Sequence, residues 1–198
     1  MNRKNWFRKV GFACRVALGC AAATMSNSTH AAFHLWNIRE LFTNPDGTQQ
    51  FIEFFDTFGG QQFVGGQQIQ VTDQAGTTTH TFTIPESLPG ESFGHAFLIA
   101  TSGFASAAGA VTPNFTMPAG FLFPDGGTIN FFGLNSGSYS ALPKDGILSR
   151  DFDGNTDQSN SPQNFAGSVG HVVPESTTWA LLGLGGIAFC FLFRRRAA

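Results

Sequence analysis

The residues best suited to chemistry are four oxygen-bearing side chains at alternate positions near the end of the central part of the chain. They are Asp151, Asp153, Asn155 and Asp157. Carboxylate and amide oxygens are the ligands that Ca²⁺ takes in proteins. The EF-hand pattern is incomplete, because Thr156 stands where that loop requires glycine and Pro162 where it requires a bidentate glutamate. Two interpretations stay open: a Ca²⁺ loop of another kind, with Ca²⁺ as the one cofactor suggested, or a solvated polar connector.

Two glutamates form a second candidate, because Glu40 and Glu53 lie inside or beside apolar runs. A carboxylate in such a run is a buried acid with a raised pKa, an acceptor of hydrogen bonds within the domain, or a group that points to solvent from an alternating strand. The sequence leaves these three interpretations open.

Signatures of catalysis are absent from the sequence. It contains no Gly-x-Ser-x-Gly, no His-Glu-x-x-His and no phosphate-binding glycine loop. The histidines after the N-terminal segment are isolated from one another; we place His80 on the polar face of a strand and His95 at the start of another. The Asp-Gly pairs that begin at residues 46, 125, 145 and 153 predict turns rather than paired catalytic carboxylates. We therefore predict that the protein is not an enzyme.

The elements that would position these residues are β-strands. Short runs rich in Phe, Ile, Val and Thr alternate with Gly, Pro, Asp and Asn, which predicts an all-β sandwich. The runs cover residues 33–42, 50–55, 67–72, 78–84, 95–100, 128–132 and 146–150. Alternation places Phe82 and Ile84 on one buried face and Ile69 and Val71 on another. Asn44-Pro45-Asp46-Gly47 predicts a turn between the first two strands, and the many phenylalanines predict a core built from that residue.

The order of several short motifs between Phe33 and Asp153 resembles the lamin-tail domain. These motifs are Ile38-x-Glu40, Phe51-Ile52-Glu53-Phe54, Val64-Gly65-Gly66 with Ile69, Leu88-Pro89-Gly90 with Phe97-Leu98-Ile99, Asp125-Gly126-Gly127-Thr128-Ile129, and Asp145 to Arg150. Gln67 replaces a tryptophan of the family pattern, and Asp56 stands where an asparagine often follows. The resemblance implies an immunoglobulin-like sandwich of a kind also found in bacterial secreted proteins. A fold of this kind does not by itself name a function.

The N-terminal segment, residues 1–31, has the pattern of a secretory signal peptide. Four basic residues within the first nine precede a short apolar stretch, and Thr29-His30-Ala31 is a small-x-small cleavage site, with Ala32 as the next candidate. We therefore expect an N-terminal signal helix that is removed by signal peptidase. A lipoprotein box ending at Cys20 is the weaker alternative.

The last 26 residues, 173–198, have the pattern of a membrane-sorting tail. The polar motif Val173-Pro174-Glu175-Ser176 precedes an uncharged apolar stretch, 177–193, and the basic cluster Arg194-Arg195-Arg196. Such a stretch is just long enough for a helix to cross a hydrocarbon core of roughly 30 Å. The arginines would hold the far end in the cytoplasm. The alternative, a buried helix of a soluble domain, leaves the arginine cluster unexplained.

This tail resembles the PEP-CTERM sorting signal of Gram-negative bacteria, in which Val-Pro-Glu-Pro, a transmembrane helix and an arginine cluster follow one another. Val173, Pro174 and Glu175 match, and Ser176 replaces the second proline. The resemblance implies export across the inner membrane, recognition by an exosortase, cleavage near the motif, and a place at the cell surface or in an exopolysaccharide or biofilm matrix.

Setting both targeting segments aside changes the composition of the chain. The cysteines, Cys14, Cys20 and Cys190, all lie in those segments, so the body between them contains no disulfide. Three basic and twelve acidic residues lie between Ala32 and Pro174, a net charge of 3 − 12 = −9. This charge argues against nucleic acid and anionic lipid as partners.

We therefore expect a β-sandwich domain over residues 32–156 and a flexible polar linker over residues 157–172. The function predicted is that of a non-enzymatic structural or adhesive module of the envelope or matrix. The alternative is a glycan- or Ca²⁺-binding module that uses the loops of the sandwich.

Overall fold

A computed structural model describes residues 35–131 and 135–173 of the 198-residue chain. The predicted signal peptide with its cleavage sites Ala31 and Ala32, and the tail from Pro174 through Ser176 to the three arginines, lie outside the described residues. Within the described ranges, no helix has the length and apolar character needed to cross a bilayer.

Ten strands and one short helix make up the described part. They are β1 (Trp36–Thr43), β2 (Gln50–Asp56), β3 (Gln68–Asp73), β4 (Thr79–Thr83), β5 (Ala96–Thr101), α1 (Ser102–Ala105), β6 (Phe115–Met117), β7 (Gly127–Phe131), β8 (Asn135–Tyr139), β9 (Leu148–Asp151) and β10 (Thr156–Ser159). The strands form a six-stranded sheet of order β10-β9-β1-β2-β5-β6 and a four-stranded sheet of order β4-β3-β7-β8. The prediction of an all-β domain built as two layers is confirmed.

The turn between β1 and β2 follows the sequence prediction. Gly47 has a φ of +70°, which glycine adopts without steric cost, and its N–H donates to the carbonyl of Asn44. The Asp46 carboxylate accepts from the N–H of Thr48, which closes the turn. The following pairing of β1 with β2 is antiparallel and contains one bulge, at Arg39 between Ile38 and Glu40.

Apolar side chains fill the space between the two sheets. Phe54 and Phe97 of the six-stranded sheet stack at 4.6 Å between ring centroids, and Phe131 of the four-stranded sheet lies 5.0 Å from Phe54. Ile69 and Val71 are fully buried here, as their alternation predicts. Phenylalanine dominates this core, which confirms the sequence prediction.

A second apolar cluster lies on the outer face of the six-stranded sheet. Phe42 of β1 and Phe51 of β2 stack there, and Phe104 of α1 packs edge-on against Phe51 at 5.2 Å between ring centroids. Val172, near the end of the described chain, is fully buried in the same cluster. The outer face of this sheet is therefore covered by chain around Phe42 and Phe51.

The placement of His80 on a polar face was wrong. Residues 80 and 82 point to the same side of β4 because successive side chains of a strand alternate, and Phe82 packs against the core. The His80 ring stacks on Phe123 at 4.5 Å between ring centroids, and its Nδ1 lies 3.0 Å from the carbonyl oxygen of Phe121.

The structure also differs from the sequence prediction over residues 157–172, which we expected to be a flexible linker. Residues up to Ser159 belong to β10, which pairs with β9 at the edge of the six-stranded sheet. The chain then folds back over the outer face of that sheet. We name residues 160–173 the C-terminal arm.

Candidate functional site

Two carboxylates lie directly opposite each other beneath the C-terminal arm. Glu40 of β1 and Glu53 of β2 are cross-strand partners next to the bulge, and their side chains share the outer face with Phe42 and Phe51. Glu40 is 1 % exposed and Glu53 is 0 % exposed. Like charges in such positions repel, and burial adds a desolvation cost, so each carboxylate requires partners.

The arm supplies those partners from its backbone. The N–H of Ser161 donates to Glu40 Oε1 at 2.9 Å, and its hydroxyl donates to Oε2 at 3.2 Å. The N–H of Gln163 donates to Glu53 Oε2 at 2.6 Å. The two glutamates therefore anchor the first half of the arm to the sheet.

Arg39, the bulged residue, supplies the positive charge. Its guanidinium forms an ion pair with Glu53 Oε1, stacks over the Phe55 ring at 4.9 Å from the centroid, and reaches the Gln163 side-chain oxygen at 3.4 Å. The bulge allows the consecutive residues Arg39 and Glu40 to lie on the same face of the sheet, so Arg39 lies beside the carboxylates.

Burial dominates the proton affinity of the pair. Burial raises the pKa of Glu53 to about 7, while the Arg39 charge and the Gln163 N–H lower it and the neighbouring Glu40 raises it further. Burial also raises the pKa of Glu40, against hydrogen bonds from Ser149 and Ser161 that lower it. Both glutamates are buried acids and hydrogen-bond acceptors, which unites two of the three interpretations that the sequence left open.

The second half of the arm returns along the first and is held by side chains of its own. Asn160 is the main clamp: its amide nitrogen donates to the carbonyls of Ile147 and Val172, and its oxygen accepts from the Val172 N–H at 2.7 Å. At the far end of the arm, Phe165 is buried and stacks on His95 at 4.8 Å between ring centroids. The chemistry of this site is therefore anchoring: a substrate would have to displace the arm before it could reach either carboxylate.

A different surface is formed by two loops at one end of the sandwich. The loop after β2 carries Phe58 and Phe63, which are 66 % and 43 % exposed, and the loop before β5 carries Phe93, which is 65 % exposed. The sequence predicted packing roles for phenylalanine in general, and no signal in the sequence separates these three from the core residues. We name residues 57–63 and 91–94 the aromatic loop end.

Two carboxylates hold the backbone of the aromatic loop end. Asp56 accepts from the N–H groups of Phe58 and Gly59 at 2.8 and 3.0 Å. Glu91 Oε1 accepts from Gly60 of the first loop at 2.8 Å and from Phe93 of the second at 3.2 Å. The backbone at Phe58 and Phe93 is thus held in place by hydrogen bonds within the protein itself.

The close approach of the two loops depends on a glycine. Gly59 has a φ of +82°, and a Cβ there would lie 2.9 Å from Glu91 Oε1 and 3.2 Å from the Cβ of Phe93. Any other residue would strain the backbone and push the loops apart.

The aromatic loop end and the end of the arm lie at opposite ends of the six-stranded sheet. Asp56, next to Phe58, pairs with Trp36 at the start of β1. Val172 is hydrogen-bonded to Asn160, and Asn160 is hydrogen-bonded to Ile147, the residue just before β9. Strand β9 pairs antiparallel with the second half of β1, so Val172 lies near the end of β1. The length of β1 separates the two ends by roughly 20 Å.

The four residues of the predicted Ca²⁺ loop lie in the β9–β10 hairpin, where the Arg150 guanidinium binds the side chains of two of them. Arg150 Nε donates to Asp157 Oδ1 at 2.7 Å, and its Nη1 donates to Asn155 Oδ1 at 2.8 Å. Asp151 Oδ2 accepts from the N–H of Gly154, and Asp153 is exposed. Among residues 35–131 and 135–173, no group of three or more His, Cys, Asp or Glu side chains could hold a metal ion.

Scans of the chain against protein-family models, curated proteins and solved structures found no match. The likenesses to the lamin-tail domain and to the PEP-CTERM tail therefore stay predictions that rest on the motifs of the sequence.

Proposed function

We propose that this protein is an exported, exosortase-sorted envelope or matrix protein of a Gram-negative bacterium, with a non-enzymatic structural or adhesive role linked to exopolysaccharide or biofilm. Its body would be a lamin-tail-like, immunoglobulin-like sandwich. Signal peptidase would remove residues 1–31, and a helix over residues 177–193 would hold the precursor in the inner membrane until an exosortase acts.

One observation carries this proposal: the sandwich places its exposed aromatic loops and its exit toward the sorting motif at opposite ends. The last described residue, Val173, is the first residue of that motif, and its N–H bonds the Ala108 carbonyl at 3.4 Å. A tail inserted in the membrane from this exit would turn the aromatic loop end away from the bilayer. That orientation suits a module that meets extracellular material.

The buried carboxylate pair supports a non-enzymatic role. Glu40 and Glu53 are paired acids, as a catalytic pair would be, but both are covered by the arm and bonded to its backbone. Their evident task is to hold the arm, and through it the first residue of the sorting motif, against the body.

Processing of the tail tests the proposal directly. The full chain would be expressed in a bacterium with an exosortase, and the mature protein characterised by intact mass and by cell fractionation. We expect loss of residues 1–31, removal of the tail near Glu175, and recovery outside the inner membrane. Replacing Pro174 and Glu175 by alanine should trap the uncleaved precursor in the membrane.

Ser176→Pro is the matched control, because it restores the family motif at the position where this chain departs from it. We expect a larger cleaved fraction from this variant than from the unaltered chain. An unprocessed chain in the cytoplasm, or cleavage that ignores the alanine changes, would refute the proposal.

A further inference from the structure

We propose that the aromatic loop end is a docking surface for an uncharged polysaccharide, with the Phe58 and Phe93 rings lying against the apolar faces of sugar residues. This inference deepens the proposed adhesive role and rests on it for the orientation of the surface. The surface itself is defined by the described residues alone.

The first argument is preorganisation. Exposed apolar rings are normally a cost, yet here the N–H groups of both Phe58 and Phe93 are bonded to carboxylates, at 2.8 and 3.2 Å. Gly59 takes a left-handed conformation that permits the contact between the loops. A surface whose backbone is already fixed loses little conformational entropy when a ligand binds, which favours recognition by a small number of rings.

The second argument is area. The exposed fractions of Phe58 and Phe93, which the contact between the two loops brings together, are 66 % and 65 %. With roughly 150–250 Å² for a whole aromatic side chain, these two rings present on the order of 250 Å². A stable protein interface requires about 800 Å² from each partner. The patch is therefore too small to hold a second copy of the chain by itself, but it matches the footprint of a few sugar rings.

The third argument is charge. The body carries a net charge of 3 − 12 = −9 between Ala32 and Pro174. Its three basic residues are all paired: Arg39 with Glu53, Lys144 with Asp125, and Arg150 with Asp157. The two carboxylates of the loop end accept bonds from backbone N–H groups. An acidic polysaccharide or an anionic bilayer would be repelled, so among polysaccharides an uncharged one suits this surface.

The test uses the full-length chain in a non-ionic detergent without a sugar headgroup, which would otherwise compete for the site. Retention is measured on immobilised cellulose, dextran and galactomannan as uncharged polysaccharides, and on alginate as an acidic one. We expect retention on at least one uncharged matrix and none on alginate. Retention on none of the three uncharged matrices, or equal retention on alginate, overturns the proposal.

Variants locate the site. Phe58→Ala and Phe93→Ala should each weaken retention by roughly tenfold or more, as expected for an aromatic anchor. Phe58→Leu should weaken it nearly as much, since it keeps an apolar side chain but removes the ring face, whereas Phe58→Tyr should retain binding. Val169→Ala, at a residue that is 63 % exposed on the arm, is the matched control and should change nothing.

Other occupants give other results. If Phe58→Ala abolishes self-association in analytical ultracentrifugation, or binding to neutral phospholipid vesicles, while polysaccharide retention persists, the surface serves another copy or a bilayer and the proposal is wrong. Circular dichroism of each variant shows whether it is folded. Tail processing is measured separately in cells, so failure of the sorting proposal is distinguishable from failure of this one.

Discussion

The Glu53 side chain is fully buried, whereas the side chain of its ionic partner, Arg39, is 36 % exposed. Its Oε2 takes the Gln163 N–H, while Oε1 takes the Arg39 guanidinium as an ion pair and has no aligned hydrogen bond. The Glu40 carboxylate lies opposite on the neighbouring strand and raises the pKa of Glu53 further, while the Arg39 charge lowers it. A group held in this way makes stability depend on pH.

The free energy of unfolding should fall as the pH rises through the interval between the unfolded and folded pKa values of Glu53. Burial raises the pKa from 4.5 to about 7, so the folded protein keeps a proton that the unfolded chain has released. The stabilisation is complete below the unfolded pKa and is lost as the pH passes the folded one. The loss is at most about 3 kcal/mol. Urea unfolding at a series of pH values across this interval measures the loss in the free energy of unfolding.

Glu53→Gln should remove most of this pH dependence, and Glu40 accounts for the remainder because its pKa is also raised. Glu86→Gln, at an exposed glutamate, is the control and should leave the slope unchanged. If the free energy of unfolding of Glu53→Gln depended on pH as steeply as that of the unaltered chain, a group other than Glu53 would be responsible.

Arg150 is the other residue on which several bonds converge. Its guanidinium reaches Asp157, Asn155, the Ala141 carbonyl and the Ser140 hydroxyl. Arg150→Lys should lower the free energy of unfolding by about 2–3 kcal/mol, because an ammonium cannot replace the planar fork and leaves partly buried acceptors unpaired.

Asp157→Asn is the comparison for Arg150→Lys. The Asp157 side chain is 46 % exposed, so its ion pair is largely screened. This change should cost less than about 1 kcal/mol. If urea titrations gave equal losses in the free energy of unfolding for the two variants, the planar guanidinium of Arg150 would not be the stabilising feature.

At the scale of elements, the C-terminal arm is held mainly by hydrogen bonds, with Phe165 and Val172 as apolar anchors. Asn160 joins its two halves, Phe165 fixes its turn, and Val172 fixes its end in the outer cluster. Elements that bury few apolar side chains open more readily than the sheets beneath them. Opening of the arm would free the segment just before the proposed cleavage motif.

Asn160→Ala should accelerate hydrogen exchange of arm amides by roughly tenfold or more, while amides of β1, β2 and β5 keep their protection. The change removes three hydrogen bonds from buried groups, each worth about 0.5–1.5 kcal/mol. Ser168→Ala, at an exposed position of the same arm, is the control. Uniform acceleration in arm and sheets would mean that the arm unfolds only with the whole domain.

At the scale of the whole molecule, two apolar clusters share one sheet. Phe54 belongs to the core between the sheets, and Phe104 to the cluster on the outer face. Because β1 and β2 contribute to both clusters, loss of either should weaken the same cooperative unit. The body contains no cysteine, so no disulfide stabilises it.

Phe54→Ala and Phe104→Ala should each lower the free energy of unfolding by about 3–5 kcal/mol within a single transition in calorimetry. Phe58→Ala, which removes an exposed ring, should change it by less than about 0.5 kcal/mol. Millimolar reductant should leave all the transitions unaltered. A separate early transition in Phe104→Ala alone would show that the outer cluster unfolds independently of the sandwich.

The sequence determined the elements whose signal is local. Alternation of apolar side chains and the glycine-containing turns predicted seven strands, the inward direction of Ile69, Val71 and Phe82, and the absence of disulfides from the body. Three short strands, β6, β8 and β10, were missed. β8 and β10 consist mainly of polar residues, and β6 alternates over only three residues, too few to form a pattern. Pairing with neighbouring strands stabilises all three.

Only the tertiary structure decided how the polar residues are used. Residues 157–172 are rich in Ser, Asn and Gly and have the composition of a linker, yet Ser161 and Gln163 in this segment satisfy two buried carboxylates more than 100 positions earlier. Phe58 and Phe54 are equally apolar in the sequence, but one is 66 % exposed and the other fully buried. The composition of a segment shows which bonds its side chains are able to form, but long-range packing decides which groups lie close enough to bond with them.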